Sequence, residues 1–279
     1  MLEMARPNFF LVGASKSGTT SLAHALGDHP EIFMSQPKEP NFFNRIDHFE
    51  RIDSASLRSY LSIFDQVQNE KVIGEASVAY LSSEKAPRNI CSFSPNAKIL
   101  ISLRNPLERI VSMYEMYVRH GLAEPFHQVT KEESWLVKQN LYSPNIELFL
   151  ECFPRENLKV IEFSSIRDDW DATMLAIFSF LSVQGIKVRR VTMRNTGGVP
   201  SSPVFNILRN RTVVKLGKII TPDRWHERID FNIKRLAFKK LHIPDSLLEE
   251  LRNRFSEDAS KLDSLLGSDF NDRWFGTKH

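Results

Sequence analysis

Two cationic side chains, one carboxylate and one hydroxyl lie close to the ends of predicted strands or on the helix that follows. They are Lys16, Arg104, Glu75 and Ser112. A lysine can stabilise negative charge that develops during group transfer, and a carboxylate can accept a proton. An arginine and a hydroxyl can together hold a phosphate, since a guanidinium forms bidentate charged hydrogen bonds. Each role depends on the local structure that positions the residue.

A short buried strand, a tight loop and a helix are predicted at the start of the chain. The bounded apolar run Phe9–Val12 is typical of an inner parallel strand. Gly13 and Gly18 give the backbone the freedom that a tight turn needs. From about Thr19 the apolar spacing becomes helical. The start of such a helix directs unpaired N–H groups and the positive end of its dipole into the loop, so we expect this loop to bind a phosphate.

The loop differs from the Walker phosphate loop of nucleoside triphosphatases. After Gly13, four residues and Gly18, Thr19 stands where the Walker lysine belongs, and the lysine comes earlier, at position 16. No apolar strand ending in aspartate supplies a second magnesium ligand. The pattern therefore predicts phosphate binding without an ATP γ-phosphate and magnesium. A P-loop kinase or NTPase, and a non-catalytic nucleotide-binding module, remain the alternative interpretations.

The segment Lys16-Ser-Gly-Thr-Thr-Ser21 resembles the 5′-phosphosulfate loop of sulfotransferases that use 3′-phosphoadenosine 5′-phosphosulfate, PAPS. The resemblance is to the bacterial and glycan-type branch of that family. It implies that Lys16 stabilises the transferring group, without a metal, and that the product is 3′,5′-ADP. It also implies that the loop and helix start bind the donor, through Ser15, Lys16, Ser17, Gly18, Thr19, Thr20 and Ser21.

A second motif, Leu103-Arg-Asn-Pro-x-x-Arg-x-x-Ser-x-Tyr114, resembles the 3′-phosphate motif of the same family. It follows a predicted apolar strand that begins at Lys98, and Asn105 with Pro106 forms a helix-start signal. The resemblance implies that Arg104 and Ser112 hold the donor's 3′-phosphate. An exposed strand-end arginine and an ordinary helix serine are the alternative interpretation.

The segment Lys71-Val-Ile-Gly-Glu-Ala-Ser-Val-Ala-Tyr80 resembles the family motif whose glutamate is the proposed general base. Glu75 comes just past the apolar part of a predicted parallel strand, and ligand sites gather beyond the carboxyl ends of such strands. The resemblance implies that Glu75 takes the acceptor's proton. The alternatives are a solvated carboxylate or an ion-pair partner of Lys16 or Arg104. His48 or His120 would be the next candidate bases.

Pro37-Lys-Glu-Pro-Asn-Phe-Phe43 resembles the Lys-Glu-Pro-His-Phe-Phe segment of the same branch, with Asn41 in place of the histidine. We expect Lys38 and Glu39 to face the acceptor and the two phenylalanines to anchor the loop in the core. Phe42 and His48 complete the candidate acceptor residues.

The second half of the chain holds one clear Gly/Pro/Ser loop, Arg194–Pro203. The resemblance implies that this loop closes over the donor's 3′-phosphate and adenine. The residues involved would be Arg194, Thr196, Gly197 and Gly198; an ordinary linker is the alternative. Residues 204–240 are basic and match no motif, and we interpret them as a variable segment. They would form a solvated face, a membrane-proximal surface or an insertion beside the acceptor.

Composition sets the remaining expectations. Of 279 residues, 42% are hydrophobic and 25% charged, and the net charge of +3 is too balanced to favour nucleic acid as a partner. The two cysteines, Cys91 and Cys152, exclude a disulfide framework and a thiol-rich metal site, and we expect both to be buried. No apolar run is long enough for a membrane span, and no signal peptide precedes the first strand, which favours a cytoplasmic protein.

Together these patterns predict an α/β protein, a P-loop-like three-layer sandwich with a central parallel β-sheet flanked by helices. The whole chain, 1–279, is expected to form one domain. The resemblance implies transfer of a sulfuryl group from PAPS to a hydroxyl or amine. The absence of a signal peptide or membrane anchor favours a small-molecule metabolite or natural product as the acceptor, with a carbohydrate as the alternative. Sequence says nothing of the oligomeric state.

We also expect one helix, Asp171–Leu181, to be buried, because apolar residues lie on nearly all of its faces.

Overall fold

A computed structural model of the chain describes residues 4–122, 124–190, 199–200, 238–239 and 241–276. The chain divides into two compact units. The first contains Met1–Arg109, Gln139–Met193 and Arg252–His279, and the second contains Ile110–Lys138 and Arg194–Leu251. The expectation of a single domain stays a prediction. The role predicted for residues 204–240 falls, apart from 238–239, outside the described residues.

A parallel sheet of five strands forms the centre of the first unit, in the order β2-β3-β1-β4-β5. Its strands are β1 (Phe9–Gly13), β2 (Ile32–Met34), β3 (Val72–Ala76), β4 (Lys98–Leu103) and β5 (Leu158–Glu162). A short antiparallel pair, β6 (Val199–Pro200) and β7 (Phe238–Lys239), belongs to the second unit. In the strand order, β2 and β3 lie on one side of β1, and β4 and β5 lie on the other. This arrangement places the loop after β1 at a topological switch point, where ligands bind in open α/β sheets.

Helices connect the strands and complete both units. They are α1 (Thr19–Gly27), α2 (Ser54–Leu61), α3 (Ala86–Phe93), α4 (Pro106–Arg119), α5 (Phe126–Val129), α6 (Trp135–Lys138), α7 (Ser143–Cys152), α8 (Phe163–Asp168), α9 (Trp170–Phe180), α10 (Asp245–Leu266) and α11 (Phe270–Phe275). The predicted start of α4 is confirmed, since the Asn105 side chain accepts the N–H of Leu107 at 2.9 Å. Among the described residues, no helix is both long and apolar enough to cross a bilayer.

Both faces of the sheet are covered, so all five residues of β1 are buried. On one face Phe9 and Leu11 join a core to which α1 and α9 contribute. On the other face the ring of Phe10 meets that of Phe43, which also contacts Tyr60 and Phe93. Because side chains alternate between the two faces of a strand, these contacts place packed layers above and below the sheet. The predicted α/β sandwich with a central parallel sheet is confirmed.

Two expectations about burial are wrong. The α9 helix buries one face only, and Leu175 on it is 50% exposed. Its apolar composition therefore does not mean that it is enclosed by other elements. Cys91 and Cys152 are free and half-buried rather than buried, and the Cys91 thiol donates to the carbonyl of Cys152 at 3.0 Å.

Candidate active site

The loop between β1 and α1 has an unusual backbone. Lys16 has a φ of 66° and Gly18 a φ of 83°, both in the left-handed region. Gly18 also lies against the ring of Phe163, where an added Cβ would approach to 3.0 Å. A residue with a side chain would therefore be strained and crowded at position 18, which explains why the loop needs glycine there. Lys16 adopts a similar conformation without that freedom, so its conformation must be held by neighbouring groups.

Side chains from β4 and the residue after it bind the carbonyl groups of this loop. The Ser102 hydroxyl donates to the carbonyl of Ser17 at 2.6 Å. The Arg104 guanidinium donates to the carbonyl of Lys16 at 3.4 Å. The two motifs, 88 residues apart at these positions, therefore meet in the structure. This contact fits a parallel sheet, where the carboxyl ends of adjacent strands lie at the same edge.

The polar groups at the start of α1 fit an anionic ligand. No side chain caps this helix, so its first N–H groups keep their capacity to bind a ligand. Ser17 is fully buried, and its hydroxyl has no hydrogen-bond partner in the described part of the chain. A buried hydroxyl without a partner is costly, and a bound phosphate oxygen would supply one. Thr19 is also buried, whereas Ser15, Lys16, Gly18, Thr20 and Ser21 are half-buried.

Two further contacts hold Arg104 at the edge of this loop. Its side chain is 24% exposed, forms an ion pair with Glu108 at 3.0 Å, and lies 5.0 Å from the ring centre of Phe163. The ion pair is partly exposed and therefore weak, so a doubly charged phosphate could replace Glu108 as the partner. Ser112 is half-buried on α4 and belongs to the second unit. Its predicted contact with the 3′-phosphate stays a prediction.

Replacing Arg104 with alanine is expected to weaken the binding of 3′,5′-ADP by about 10- to 100-fold, because a hydrogen bond to a charged group contributes about 1.5–3 kcal/mol. Isothermal titration calorimetry with the purified protein measures this change. Arg167→Ala is the matched control, since Arg167 pairs with the adjacent Asp168 at the surface. Equal affinities for wild type and Arg104→Ala would contradict the assignment of Arg104 to the 3′-phosphate.

Glu75 lies on β3 and is fully buried. Three hydroxyl groups donate to its carboxylate: Tyr60 at 2.7 Å, Ser77 at 2.8 Å and Tyr80 at 3.0 Å. The alternative interpretation of Glu75 as a solvated strand-end carboxylate is therefore wrong. The hydrogen bonds that its carboxylate accepts from these three residues come from neutral hydroxyls.

Burial controls the protonation of this cluster. Loss of hydration raises the pKa of Glu75 from 4.5 to about 7, although the hydrogen bonds from Tyr60, Ser77 and Tyr80 act in the opposite direction. Burial and the nearby carboxylate also raise the pKa values of Tyr60 and Tyr80 above the ordinary tyrosine value. The tyrosines therefore stay protonated, while Glu75 exchanges a proton near neutral pH.

The same hydroxyls fasten the loop that contains Lys38 and Glu39. The N–H of Asn41 donates to the Ser77 hydroxyl at 3.0 Å, and the N–H of Phe42 donates to the Tyr80 hydroxyl at 2.9 Å. Glu39 has a φ of 66° and its N–H donates to a carbonyl of β3 at 3.1 Å. Its carboxylate is 36% exposed and pairs with Lys38 at 2.5 Å. The loop that carries this ion pair is therefore hydrogen-bonded to two of the hydroxyls that donate to Glu75.

An open cleft of about 1320 Å³ lies beside this loop. Phe42 and His48 both line it, and Phe42 also stacks on Tyr60 at 4.3 Å and so anchors the loop; their role at an acceptor stays a prediction. Lys38 and Glu39 are not among the lining residues. Charged residues dominate the walls: Arg45, Asp47, Glu50, Arg51, Asp53, Glu84, Lys85, Arg88 and Glu151. Such a cleft suits a polar acceptor better than an aromatic one.

Three contributors to the site have no role predicted from the sequence. Tyr60 comes from α2, Ser102 from the interior of β4, and Arg109 from the first half of α4. Arg109 falls inside the 3′-phosphate motif, so its motif position was the available signal. The predicted closing residues Arg194, Thr196, Gly197 and Gly198 lie outside the described residues. Within the described ranges, no group of three His, Cys, Asp or Glu side chains is placed to hold a metal ion.

The fold and this site define an α/β protein of the P-loop-like class, with its glycine-containing loop between the first strand and helix. The family model for the sulfotransferase domain matches residues 6–262, and the chain belongs to that family. A solved sulfotransferase from Alicyclobacillus acidocaldarius is similar to it, with 29% identity, a TM-score of 0.69, and coverage of 95% of this chain and 97% of that one.

Curated relatives are similar over part of their length. The human bifunctional heparan sulfate N-deacetylase/N-sulfotransferase 2 is 30% identical over 199 residues, which cover 63% of this chain and 22% of the relative. The membrane-associated sulfotransferase kil1 of Dictyostelium discoideum is 30% identical over 159 residues, covering 56% of this chain and 29% of the relative. The chain thus spans between a fifth and a third of the length of these relatives.

Proposed function

We propose that this protein transfers a sulfuryl group from PAPS to a hydroxyl or amine of a small-molecule metabolite or natural product. The observation that carries the proposal is the contact between Arg104 and the carbonyl of Lys16, which brings the two predicted phosphate motifs together. The buried Ser17 hydroxyl without a partner supports an anionic ligand at the same loop. Membership of the sulfotransferase domain family supports the sulfuryl chemistry.

Lys16 and the N–H groups at the start of α1 would stabilise negative charge on the transferring group and on the leaving phosphate. These groups are in place before the reaction, so they require little reorganisation as charge develops. Arg104 and Ser112 would fix the donor through its 3′-phosphate, which keeps the sulfur in line with the acceptor. The bond from sulfur to the bridging oxygen breaks while the bond from sulfur to the acceptor forms. The electron pair of the broken bond stays on the phosphate.

The acceptor must also lose a proton, and Glu75 is our proposed base. Because Glu75 is buried under three hydroxyls, the proton would reach it through one of them. We propose the Ser77 hydroxyl as the relay, since it donates to Glu75 at 2.8 Å. The carboxylate of Glu39 is the competing base, because its side chain is 36% exposed, whereas Glu75 is buried.

The cleft beside Phe42 and His48 is the proposed acceptor site. Its charged walls favour an acceptor with several polar groups. A carbohydrate is the alternative to a small metabolite. The similarity to an enzyme named for heparan sulfate favours a carbohydrate, although the chain spans 22% of that relative.

A thermal-shift titration with 3′,5′-ADP tests the proposal, with 5′-ADP and with ATP plus magnesium as comparisons. A ligand that binds the folded state alone stabilises it by about 2.7 kcal/mol at a hundred times its Kd. We expect 3′,5′-ADP to raise the melting temperature and the other two nucleotides to have little effect. A shift with ATP and magnesium but none with 3′,5′-ADP would contradict the proposal and favour a kinase.

A further inference from the structure

We infer that Arg109 is a positioning residue of the donor site. Together with Ser102, it fixes the carbonyl groups on either side of Lys16 and so orients the loop. This inference rests on the proposed binding of the donor's 5′-phosphate by that loop. It gives a role to a buried charge that neither the transfer chemistry nor the 3′-phosphate contact uses.

The guanidinium of Arg109 is almost completely buried, since the residue is 2% exposed. It donates to the carbonyl of Ser15 at 2.9 Å, to the carbonyl of Gln139 at 2.6 Å and to the amide oxygen of Asn140 at 3.1 Å. It also lies 5.4 Å from the ring centre of Tyr142. These three acceptors are neutral. Burying a charge is costly, and the bonds to them offset that cost while leaving the positive charge to act on an anion near the loop.

Two hydrogen bonds clamp the peptide groups that join Ser15 to Lys16 and Ser17 to Gly18. Arg109 binds the carbonyl of Ser15, and Ser102 binds that of Ser17. In a trans peptide the carbonyl of one residue and the N–H of the next point in opposite directions. Both clamps therefore turn the N–H groups of Lys16 and Gly18 away from β4 and α4. This orientation presents backbone donors to the side where the proposed phosphate binds.

The clamps also explain how Lys16 keeps its positive φ. A left-handed conformation costs a residue with a side chain about 1–3 kcal/mol and persists only where the surrounding structure over-determines it. Arg109 holds the peptide before Lys16, and Arg104 contacts the peptide after it through the Lys16 carbonyl at 3.4 Å. Ser102 holds the next peptide, and together these bonds supply that constraint. Because the side chain of Lys16 leaves the backbone between the two clamps, releasing one of them would also change the direction of the lysine.

Comparing two nucleotides separates positioning of the loop from general stability. 3′,5′-ADP carries a 5′-phosphate for the loop, whereas adenosine 3′-phosphate lacks it and keeps the 3′-phosphate. For Arg109→Gln we expect a loss of about 10- to 100-fold in affinity for 3′,5′-ADP, as for other small displacements of positioned groups, and unchanged affinity for adenosine 3′-phosphate. Arg155→Gln is the control, because Arg155 also donates to a carbonyl, that of Leu158 at 2.8 Å, away from the loop.

Ser102→Ala removes the second clamp alone and is expected to show the same selective loss. It keeps the test decisive if Arg109→Gln fails to fold. Equal losses for both nucleotides, or unchanged binding of both, would overturn the inference. Wild-type protein that binds neither nucleotide would instead reject the proposed donor site, and the inference with it, before any variant is compared. Arg109→Lys, which keeps the charge without the planar fork, should bind 3′,5′-ADP between the wild type and Arg109→Gln.

Discussion

Replacing Lys16 with alanine is expected to reduce sulfuryl transfer by at least about 100- to 1000-fold, the usual effect of removing one group that stabilises charge in the transition state. Binding of 3′,5′-ADP should change much less, because the product lacks the sulfuryl group on which the lysine acts. Turnover is measured as the release of 3′,5′-ADP from PAPS with an acceptor found by screening. Lys71→Ala is the matched control, since Lys71 pairs with Glu31 at the surface.

The backbone at this position requires a second variant. Lys16 has a φ of 66°, so alanine there removes the charge but keeps the strained conformation. Lys16→Gly removes the charge and relieves the strain, since glycine adopts positive φ freely. If charge is the contribution of Lys16, both variants should be inactive. Near-normal turnover in Lys16→Ala, or recovered turnover in Lys16→Gly, would contradict the assigned role.

The loop and the sheet could be predicted because both rest on local patterns. The apolar run before Gly13 and the change to helical spacing near Thr19 set the bounds of β1 and α1. The meeting of Arg104 with the loop follows from parallel strands, whose carboxyl ends share one edge. The burial of α9 was predicted wrongly, because apolar composition does not reveal whether a neighbouring layer covers the outer face of a helix. Leu175 lies on that uncovered face.

The surroundings of Glu75 and Arg109 could not be predicted, since they depend on contacts between distant segments. Tyr60 lies in a polar stretch whose pattern gives no sign that its hydroxyl meets a buried carboxylate. The partners of Arg109 are two carbonyl groups and an amide, and main-chain acceptors carry no sequence signal. Sequence thus identified the candidate reactive groups but not the groups that hold them in place.

Replacing Glu75 with glutamine should slow transfer by about 10²–10⁴-fold if Glu75 is the base, the usual contribution of a positioned general base. Glutamine fits the pocket: its oxygen can accept from Tyr60 and Tyr80, and its amide can donate to a reoriented Ser77 hydroxyl. Donor affinity should therefore be preserved. The wild-type rate is expected to rise as Glu75 deprotonates around pH 7, and the variant should lose this rise.

Stability gives an independent measurement on the same variant. The folded protein holds the Glu75 proton up to about pH 7, whereas the unfolded chain releases it near pH 4.5. The stability due to this proton is fully present below pH 4.5 and is lost as the pH rises to about 7. The free energy of unfolding should therefore fall by about 3 kcal/mol more in the wild type than in Glu75→Gln over that window. Urea unfolding at several pH values measures the difference.

Glu39→Gln decides which carboxylate takes the proton. If the proton passes through Ser77 to Glu75, Ser77→Ala should slow transfer as Glu75→Gln does, and Glu39→Gln should have a smaller effect. If Glu39→Gln instead causes the larger loss of transfer, Glu39 is the base. Glu75 would then serve through its hydrogen bonds to Ser77 and Tyr80, whose hydroxyls hold the loop that carries Glu39. The pH titration of stability would remain in that case, because it depends on the burial of Glu75 and not on catalysis.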